Sequence, residues 1–412
     1  MKIGFVGPID TVLLAETLNL DKDALPAAYS IPMNSMLVCA LLAAGHEVVV
    51  FGLSNQISEP ATWDFGALKI RLGCYRHKHR ARDFFKTERA DLVSALESEP
   101  CDILNAHWTY EFALAALRID KDALISVRDW APSILWQMPD AYRLIRCSMA
   151  LVVYCKGKHF SVNSPYVKQL IERWTFNSAE LIPNGIPSES FQRLAKWKAP
   201  SEPRTIVAIN RGFFKRKNLP ALLQAFNQVR VAQSTLRLKL IGYGSEVGGE
   251  GHRWALEHQL DAGVDFLGDM AYAEAQIHLR HASLLVHPSY EESFGMVLIE
   301  AMAKGVPVIG GEHSGAVPWV LNEGRAGLLV DVAEVDSIAA GINYILSDES
   351  DWQRYSDAGY TFARDQFEMS VIAGRYLDLY EKILSRKGVR SATGHRFTNK
   401  GSTGICDVAK DL

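Results

Sequence analysis

Two series of short apolar runs, separated by longer amphipathic stretches, limit the possible folds of this chain more than any other feature. The first series lies at residues 3–6, 47–51, 103–106, 124–127, 150–153 and 160–163, with helical patterns such as 35–44 and 111–118 between the runs. Strands that alternate with helices build a parallel sheet covered on both faces. The first half therefore predicts an α/β domain with a doubly wound, Rossmann-like sheet.

The same rhythm restarts in the second half. Predicted strands lie at 205–209, 236–241, 265–267, 284–287 and 306–309, and predicted helices at 219–231, 272–281, 295–304, 351–365 and 370–384. The intervening segment IPNGIPSESFQRLAKWKAPSEPRT holds four prolines, which is typical of a linker. We expect one domain at residues 1–195 and a second at 196–365, facing each other across a cleft. A C-terminal helix at 366–387 is expected to cross back to the first domain, before a flexible tail at 388–412.

Composition excludes several classes of protein. The formal net charge of −3 offers no basic excess for nucleic acid. No Cys-x-x-Cys pair occurs among the six cysteines, which argues against a zinc ribbon and fits a reducing cytosol. The N-terminus MKIGFVGP is a poor signal peptide, and no run reaches the ~18 apolar residues of a membrane span. We expect a cytoplasmic protein, with any membrane contact peripheral and at the inner face.

The first predicted strand also excludes one common activity. It ends in GFVGPIDTVLL instead of G-x-G-x-x-G. Those glycines let the backbone approach the pyrophosphate of a dinucleotide. Their absence argues against a nicotinamide or flavin oxidoreductase.

The segment richest in candidate chemistry is HPSYEESFGMVLIEAMAKGVPVIG, residues 287–310. Gly295 is predicted to open a helix, whose free N–H groups suit a phosphate. Glu292 precedes that start, and Glu300 lies about 7 Å further along the helix axis. One carboxylate can thus reach a sugar and the other a ribose. The alternative is an exposed acidic loop followed by a solvated glutamate, although Glu300 is flanked by apolar residues.

This segment resembles glycosyltransferase family 4, the retaining GT-B enzymes also called glycosyl transferases group 1. The family frame P-S-x-x-E-x-F-G-x-x-x-x-E-A-M-A-x-G-x-P-V is matched at Pro288, Ser289, Glu292, Phe294, Gly295, Glu300, Ala301, Met302, Ala303, Gly305, Pro307 and Val308. The stretch AINRGFFKRKNLPALLQAF, residues 208–226, resembles the family's strand–Arg–loop–Lys–helix element. FLGDM, residues 266–270, resembles the loop that meets the nucleotide base. The resemblance implies two Rossmann-like domains in a GT-B fold.

The resemblance also implies roles for individual residues. Catalytic roles fall on Glu292, which holds the donor sugar, and on Arg211 and Lys217, which bind the donor diphosphate; Lys215 and Arg216 compete for the Lys217 role. The donor-binding residues implied are Glu300 on the ribose, the helix start at Gly295, Met296 and Val297, and Gly268 at the base. Because these groups supply the positive charge that a divalent ion would otherwise supply, we expect no metal and no other cofactor.

Departures from the family concentrate in the first half. Arg128, in LISVRDW, stands where the family often has a histidine beside the transferred sugar, and Trp319 stands where it usually has glutamate. His107, at the end of a neighbouring predicted strand, has either a structural role or a place beside the sugar or acceptor. Arg128 and Asp129 either contact the acceptor or form a salt bridge.

A basic segment, YRHKHRARDFFKTER at residues 75–89, is the remaining candidate. It is either a solvated charged helix anchored by two phenylalanines or a patch for an anionic membrane or acceptor. The complete pattern predicts a retaining transferase that moves a sugar from a UDP-, GDP- or ADP-sugar to an unidentified acceptor in glycan, glycolipid or glycoconjugate biosynthesis. The alternatives are a nucleotide-sugar-binding protein or partner subunit without activity, and a GT-B-fold nucleotide-sugar epimerase.

Overall fold

The chain forms two compact α/β units in the computed structural model, which describes residues 1–21, 25–199, 201–213 and 215–392. The first unit comprises Met1–Gly185 and the described residues from Ile372 onward, and the second comprises Ile186–Val371. Each unit has its own parallel sheet. The predicted class of two Rossmann-like α/β domains is confirmed.

The strands and helices of the first unit alternate along most of its length. They are β1 Lys2–Val6, α1 Thr11–Thr17, α2 Pro32–Ala43, β2 Glu47–Ser54, β3 Ala61–Phe65, β4 Leu68–Cys74, α3 Lys86–Ser98, β5 Ile103–His107, α4 Glu111–Ile119, β6 Leu124–Val127, α5 Ala131–Gln137, α6 Ala141–Lys156, β7 His159–Val162, α7 Pro165–Thr175 and β8 Ala179–Leu181. The unpredicted pair β3 and β4 forms an antiparallel hairpin on the sheet edge.

The first sheet has the order β3-β4-β2-β1-β5-β6-β7-β8, and all pairs other than β3 with β4 are parallel. Strand β2 is buried along nearly its whole length because helices cover both faces, which explains its continuous run EVVVFGLS. The chain order reverses between β1 and β5. In open α/β sheets, ligands bind outside the carboxyl ends of the strands at such a reversal.

The predicted strand at 150–153 is wrong, because these residues lie within α6. Asp140 caps this 16-residue helix by accepting a hydrogen bond from the Arg143 amide. Met149, Ala150 and Val153 are buried against the sheet. A short apolar run has the same pattern in a buried strand and on the inner face of a helix, so periodicity alone could not decide.

In the second unit every strand is parallel to its neighbours. The elements are β9 Thr205–Ile209, α8 Leu219–Ala232, β10 Arg237–Ile241, α9 Glu250–Glu257, β11 Val264–Gly268, α10 Tyr272–Arg280, β12 Leu284–His287, α11 Met296–Met302, β13 Val308–Gly311, α12 Val317–Val320, β14 Leu328–Val330, α13 Val335–Ser347 and α14 Glu349–Phe367, followed by α15 Met369–Ala392. The strand order is β11-β10-β9-β12-β13-β14. The chain order therefore reverses between β9 and β12, which places a candidate ligand site beyond their carboxyl ends.

Single buried residues show how helices α8 and α14 pack against the second sheet. Phe226 of α8 is fully buried in the core. Trp352 of α14 is 1% exposed, and its indole N–H donates to the carbonyl of Ser283 at 2.7 Å. A buried tryptophan needs such a partner for its N–H. Trp352 thus fixes α14 at the start of β12.

The boundary between the units lies between Gly185 and Ile186. The sequence analysis expects it about ten residues later, near residue 195. The amide of Ile186 donates to the carbonyl of Phe367, and the amide of Met369 donates to the carbonyl of Ile186. Further along, the amides of Leu194 and Ala195 both approach the Lys304 carbonyl. These backbone bonds hold residues 186–195 to the second unit.

Helix α15 starts later than the predicted C-terminal helix at 366–387 and extends beyond it at the C-terminal end. It begins at Met369, belongs to the first unit from Ile372 and continues to Ala392, so the first residues of the predicted tail are helical. The rest of that tail, residues 393–412, lies outside the described residues. Within the part of the chain that is described, no helix is long and apolar enough to cross a membrane.

Candidate active site

The loop after β9 carries the predicted basic residues. Arg211 lies two residues after the end of the strand and has an exposed side chain. Lys215–Lys217 form a 3-10 turn that ends at Asn218, whose side-chain amide donates to the Val332 carbonyl at 2.6 Å. Lys217 is buried, whereas Lys215 is exposed. The turn therefore directs Lys217, and not Lys215, into the protein.

Lys217 meets Glu292 inside the second unit. The Lys217 Nζ atom lies 2.5 Å from Glu292 Oε1, and His287 Nε2 lies 3.2 Å from the same oxygen. Arg216 Nη1 lies 3.8 Å from Glu292 Oε2 and donates to the Glu291 carbonyl at 2.9 Å. The backbone of Glu292 is held as well, because its carbonyl accepts from the Ala316 amide. Glu292 is thus the centre of a cationic cluster at the reversal of the sheet.

The cluster fixes the ionisation state of Glu292. Burial alone would favour the neutral acid, but the hydrogen bond and charge of His287 and the charge of Lys217 outweigh it and lower the pKa of Glu292. Burial also lowers the pKa of Lys217, against the opposing effect of Glu292. The carboxylate form of Glu292 is the one that this environment stabilises.

Glu300 has a different environment, although it belongs to the same segment. It is 9% exposed on α11, and its Oε2 accepts from Gln276 Nε2 at 2.9 Å. Burial raises the pKa of Glu300, and the hydrogen bonds of Gln276 and Tyr272 and the charge of Lys304 oppose this only in part. One glutamate of the motif is therefore held ionised, while the other is shifted toward its neutral form.

Two glycines let the backbone approach closely at this edge. Gly295 precedes α11 with φ +91°, a conformation that side chains rarely adopt, so the helix starts at Met296 and Val297 as predicted. Gly242, after β10, has φ +117°, and a Cβ atom there would lie 1.9 Å from the Asn210 carbonyl oxygen. The Gly242 amide donates to the carbonyl of Gly268 at 2.7 Å. Gly268 is thereby held beside the loops that follow β9 and β10.

Several buried polar atoms at the same edge have no hydrogen-bond partner among the described residues. They follow the carboxyl ends of β9, β10, β12 and β13: both side-chain amide atoms of Asn210, the hydroxyls of Ser245, Ser289 and Ser314, and Nδ1 of His287. Buried polar groups are nearly always hydrogen bonded in native proteins. Their concentration at one edge is what a site for a polar ligand requires.

In the first unit, His107 and Arg128 lie at the carboxyl ends of the adjacent strands β5 and β6. Arg128 Nη2 lies 3.1 Å from His107 Nδ1, and Nη1 donates to the Asn184 side chain. Since a guanidinium only donates, Nδ1 accepts, and the His107 proton is on Nε2. Burial, reinforced by the Arg128 charge, lowers the pKa of His107 well below its usual value. His107 is a neutral imidazole with Nε2 unpaired among the described residues.

Arg128 is further held by the C-terminal helix. Its Nη2 donates to the hydroxyl of Tyr376 at 3.0 Å. Asp129 instead accepts from the Tyr110 hydroxyl at 3.0 Å, and burial raises the pKa of Asp129. Within the described ranges neither Arg128 nor Asp129 forms an ion pair, so contact with an acceptor stays a prediction for both.

The structure brings Arg211, Lys217, Glu292, Gly295 and Gly268 to one edge of the second sheet, and His107 and Arg128 to one edge of the first. Glu300 lies inside α11 and contacts Gln276 of α10. Sequence reasoning missed His287, Gln276 and Tyr272, which contact the two glutamates. His287 had a readable signal, because it ends a predicted strand just before the motif. Gln276 and Tyr272 had no such signal, since their contact with Glu300 depends on how α10 packs against α11.

Sequence comparison places these features in a known family. The family described as Glycosyltransferase Family 4 matches residues 35–190, and that described as Glycosyl transferases group 1 matches residues 191–362. The chain belongs to glycosyltransferase family 4. The second match contains every predicted donor-side residue.

Among curated proteins, this family 4 chain is similar to a phosphatidyl-myo-inositol mannosyltransferase of Mycobacterium tuberculosis. The two are 30% identical over 229 residues, which cover 53% of this chain and 58% of the relative. The chain thus spans little more than half the length of that relative.

Solved structures share the fold of the family 4 chain over nearly its full length. A sucrose-phosphate synthase from Thermosynechococcus elongatus has a TM-score of 0.74 at 19% identity, covering 94% of this chain and 100% of that one. A trehalose-6-phosphate structure from E. coli, bound with UDP-2-fluoro glucose, has a TM-score of 0.68 at 12% identity, covering 93% and 99%. At these identities the similarity establishes the GT-B fold alone.

Proposed function

We propose that this protein is a retaining glycosyltransferase that moves a sugar from a nucleotide-sugar donor to an acceptor in glycan, glycolipid or glycoconjugate biosynthesis. The observation that carries the proposal is the cluster of Lys217, His287 and Glu292 at the strand reversal of the second sheet. The mannosyltransferase relative and the UDP-sugar bound to a structural neighbour support a hexosyl donor of this class.

In the proposed reaction the donor diphosphate leaves as its negative charge grows. Arg211 and Lys217 offset that charge, and the first amides of α11, at Met296 and Val297, point their N–H groups to the same region. Glu292 is already aligned by two cationic neighbours and contacts the sugar. Glu300 is proposed to hold the ribose hydroxyls through its carboxyl oxygens.

The same cations support a reaction that needs no metal or other cofactor. A divalent ion would serve to neutralise the diphosphate, and here Arg211, Lys217 and the helix start supply comparable charge. Lys217 and His287 also contact the Glu292 carboxylate, which would otherwise be available to bind a metal. Metal independence is therefore part of the proposal, along with a cytoplasmic location.

Residues 75–89 are proposed to contact an anionic membrane surface at its inner face. Not every cation of the segment is available for this contact. Arg76 binds Asp83 and Glu88 through its whole guanidinium, and Arg80 donates to the carbonyls of Arg76 and His77. The exposed members are Lys78, Arg82 and Lys86.

The test of the proposed function is sugar release by the purified chain. UDP-, GDP- and ADP-sugars are screened by thermal shift, because a ligand that binds the native state raises its stability. The donor that binds is then assayed for hydrolysis and transfer, and the anomeric configuration of the product is read by NMR. Retention with nucleoside diphosphate release supports the proposal. Binding without turnover would indicate a nucleotide-sugar-binding protein, and conversion of the donor without an acceptor would indicate an epimerase.

A further inference from the structure

A pocket on the first unit shares no residue with the candidate active site. Its volume is about 730 Å³, and its walls come from helices α3, α4 and α6. That size falls within the range of pockets that hold small ligands. Five of its lining residues are cations: Lys86, Arg89, Arg118, Lys121 and Lys156.

The described part of the chain does not compensate the charge of this pocket. Among the described residues none of the five cations forms an ion pair. The lining carboxylate Asp83 is already bound by both terminal nitrogens of Arg76, at 2.8 Å each. Arg89 is the most constrained cation, because its Nε is buried without a hydrogen-bond partner in the described ranges. Cations gathered in this way are stabilised by an anionic ligand.

The remaining walls of the pocket are apolar. Leu114 and Leu117 of α4 face Met149 and Val152 of α6 across it. Outside the pocket, α6 also exposes Leu144 and Leu151, which lie two helical turns apart at 59% and 43% exposure. A free phosphate or a phosphorylated sugar gains nothing from such walls. A ligand with an anionic head and a hydrocarbon chain uses both parts of the pocket.

We propose that this pocket binds a single anionic phospholipid, with its phosphate between Arg89, Arg118 and Lys121 and its chain along the apolar residues of α4 and α6. The exposed leucines of α6 then face the hydrocarbon of the same bilayer. This inference does not depend on sugar transfer. It assigns lipid recognition to the pocket, whereas Lys78 and Arg82, the exposed cations of residues 75–89 that do not line it, contribute only general attraction.

Paired charge reversals in the full chain separate these two sources of membrane binding. The double variant R118E/K121E alters the pocket outside residues 75–89, and K78E/R82E alters exposed residues of that segment outside the pocket. Both are sedimented with phosphatidylcholine vesicles that contain or lack phosphatidylglycerol. Because each cation near an anionic surface contributes about 1 kcal/mol, we expect R118E/K121E to weaken binding at least about tenfold. The opposite ranking, with K78E/R82E the more damaging, would overturn the proposal.

A soluble lipid tests the pocket without a bilayer. Short-chain phosphatidylglycerol is expected to raise the melting temperature of the chain, whereas glycerol phosphate at the same concentration leaves it unchanged. Ser148→Trp fills the pocket without altering its charge and should abolish that shift. An equal shift with glycerol phosphate would make this a site for free phosphate, and an undiminished shift in S148W would place the lipid elsewhere.

Two controls keep these outcomes distinct from the proposed transferase function. Circular dichroism checks that each variant is folded. If R118E/K121E is unfolded, lipid binding by S148W tests the proposal instead. Donor hydrolysis by S148W should equal that of the wild type, because Ser148 lies in a different unit from the donor-side residues. Lipid binding by a chain that hydrolyses no donor would leave this inference standing while the proposed function fails.

Discussion

The Nζ atom of Lys217 lies 2.5 Å from Oε1 of Glu292, although the two residues are 75 positions apart in the sequence. Both side chains are nearly buried, with exposures of 11% and 12%. A buried pair of this kind is costly to break, because the remaining charge loses its partner without regaining water. The ion pair therefore links the stability of the second unit to its proposed chemistry.

Replacing Lys217 tests that link. Lys217→Met should lower the free energy of unfolding by about 3 kcal/mol, since the buried Glu292 would lose its nearest cation and keep only His287 and the more distant Arg216. The double variant K217M/E292Q has no unpaired charge and should recover much of that loss. Both are expected to lose about 100-fold or more in turnover, because the cation proposed to stabilise the leaving group is absent. Denaturant unfolding and donor turnover measure the two effects. Wild-type stability in K217M would contradict this reading of the pair.

Glu300→Gln should affect stability in a pH-dependent manner. Burial raises the pKa of Glu300 in the folded protein above its ordinary value of 4.5. The folded state is therefore favoured below that value and penalised as the pH rises and the buried group ionises. Glutamine never ionises, so the melting temperature of the variant relative to the wild type should increase from acidic to neutral pH. A difference that is constant with pH would refute the environment assigned to Glu300.

The two glutamates should also differ in kinetics. Glu300→Gln is expected chiefly to weaken donor binding, since Glu300 is proposed to hold the ribose. Glu292→Gln is expected chiefly to lower turnover, because its ionised form is aligned by Lys217 and His287. Isothermal titration with the donor and steady-state assays separate binding from turnover. If neither variant changes either quantity, the proposed site is misplaced.

Activity in excess chelator and the activity of an Arg211 variant test metal independence. The wild type should keep full activity in the chelator. Arg211→Ala should lower turnover on the order of 100-fold, because charge stabilisation of the leaving diphosphate is lost. Lys215→Ala, an exposed neighbour in the same loop, is the matched control and should remain near the wild-type rate. Strict dependence on magnesium or manganese together with an active Arg211→Ala enzyme would overturn the proposal.

Tyr376→Phe tests how the C-terminal helix holds Arg128. The variant loses the hydroxyl that bonds Arg128 at 3.0 Å and lies 3.2 Å from the Ser126 hydroxyl. Leaving buried groups unsatisfied should reduce the free energy of unfolding by about 1–3 kcal/mol. Tyr344→Phe removes an exposed hydroxyl bonded to Asp351 and is the control, with a smaller loss expected. Equal losses in the two variants would show that the buried network contributes no more than an exposed contact.

Local sequence patterns were sufficient to predict most of the strands and helices and the position of the donor-side motif. The predicted strands at 205–209 and 284–287 coincide with β9 and β12. Gly295 precedes α11 as expected, because only glycine readily adopts its backbone conformation. These features depend on periodicity and on the conformational freedom of single residues, which are local properties that a sequence displays.

Which side chains meet became clear from the folded chain alone. Parallel pairing of β9 with β12 brings the loop of Lys217 to the end of the strand that holds His287, and α10 brings Gln276 to Glu300. The run at 150–153 became the inner face of a helix instead of a strand. In each case the outcome depends on burial against residues distant in the chain, and a local pattern contains no information about that neighbour.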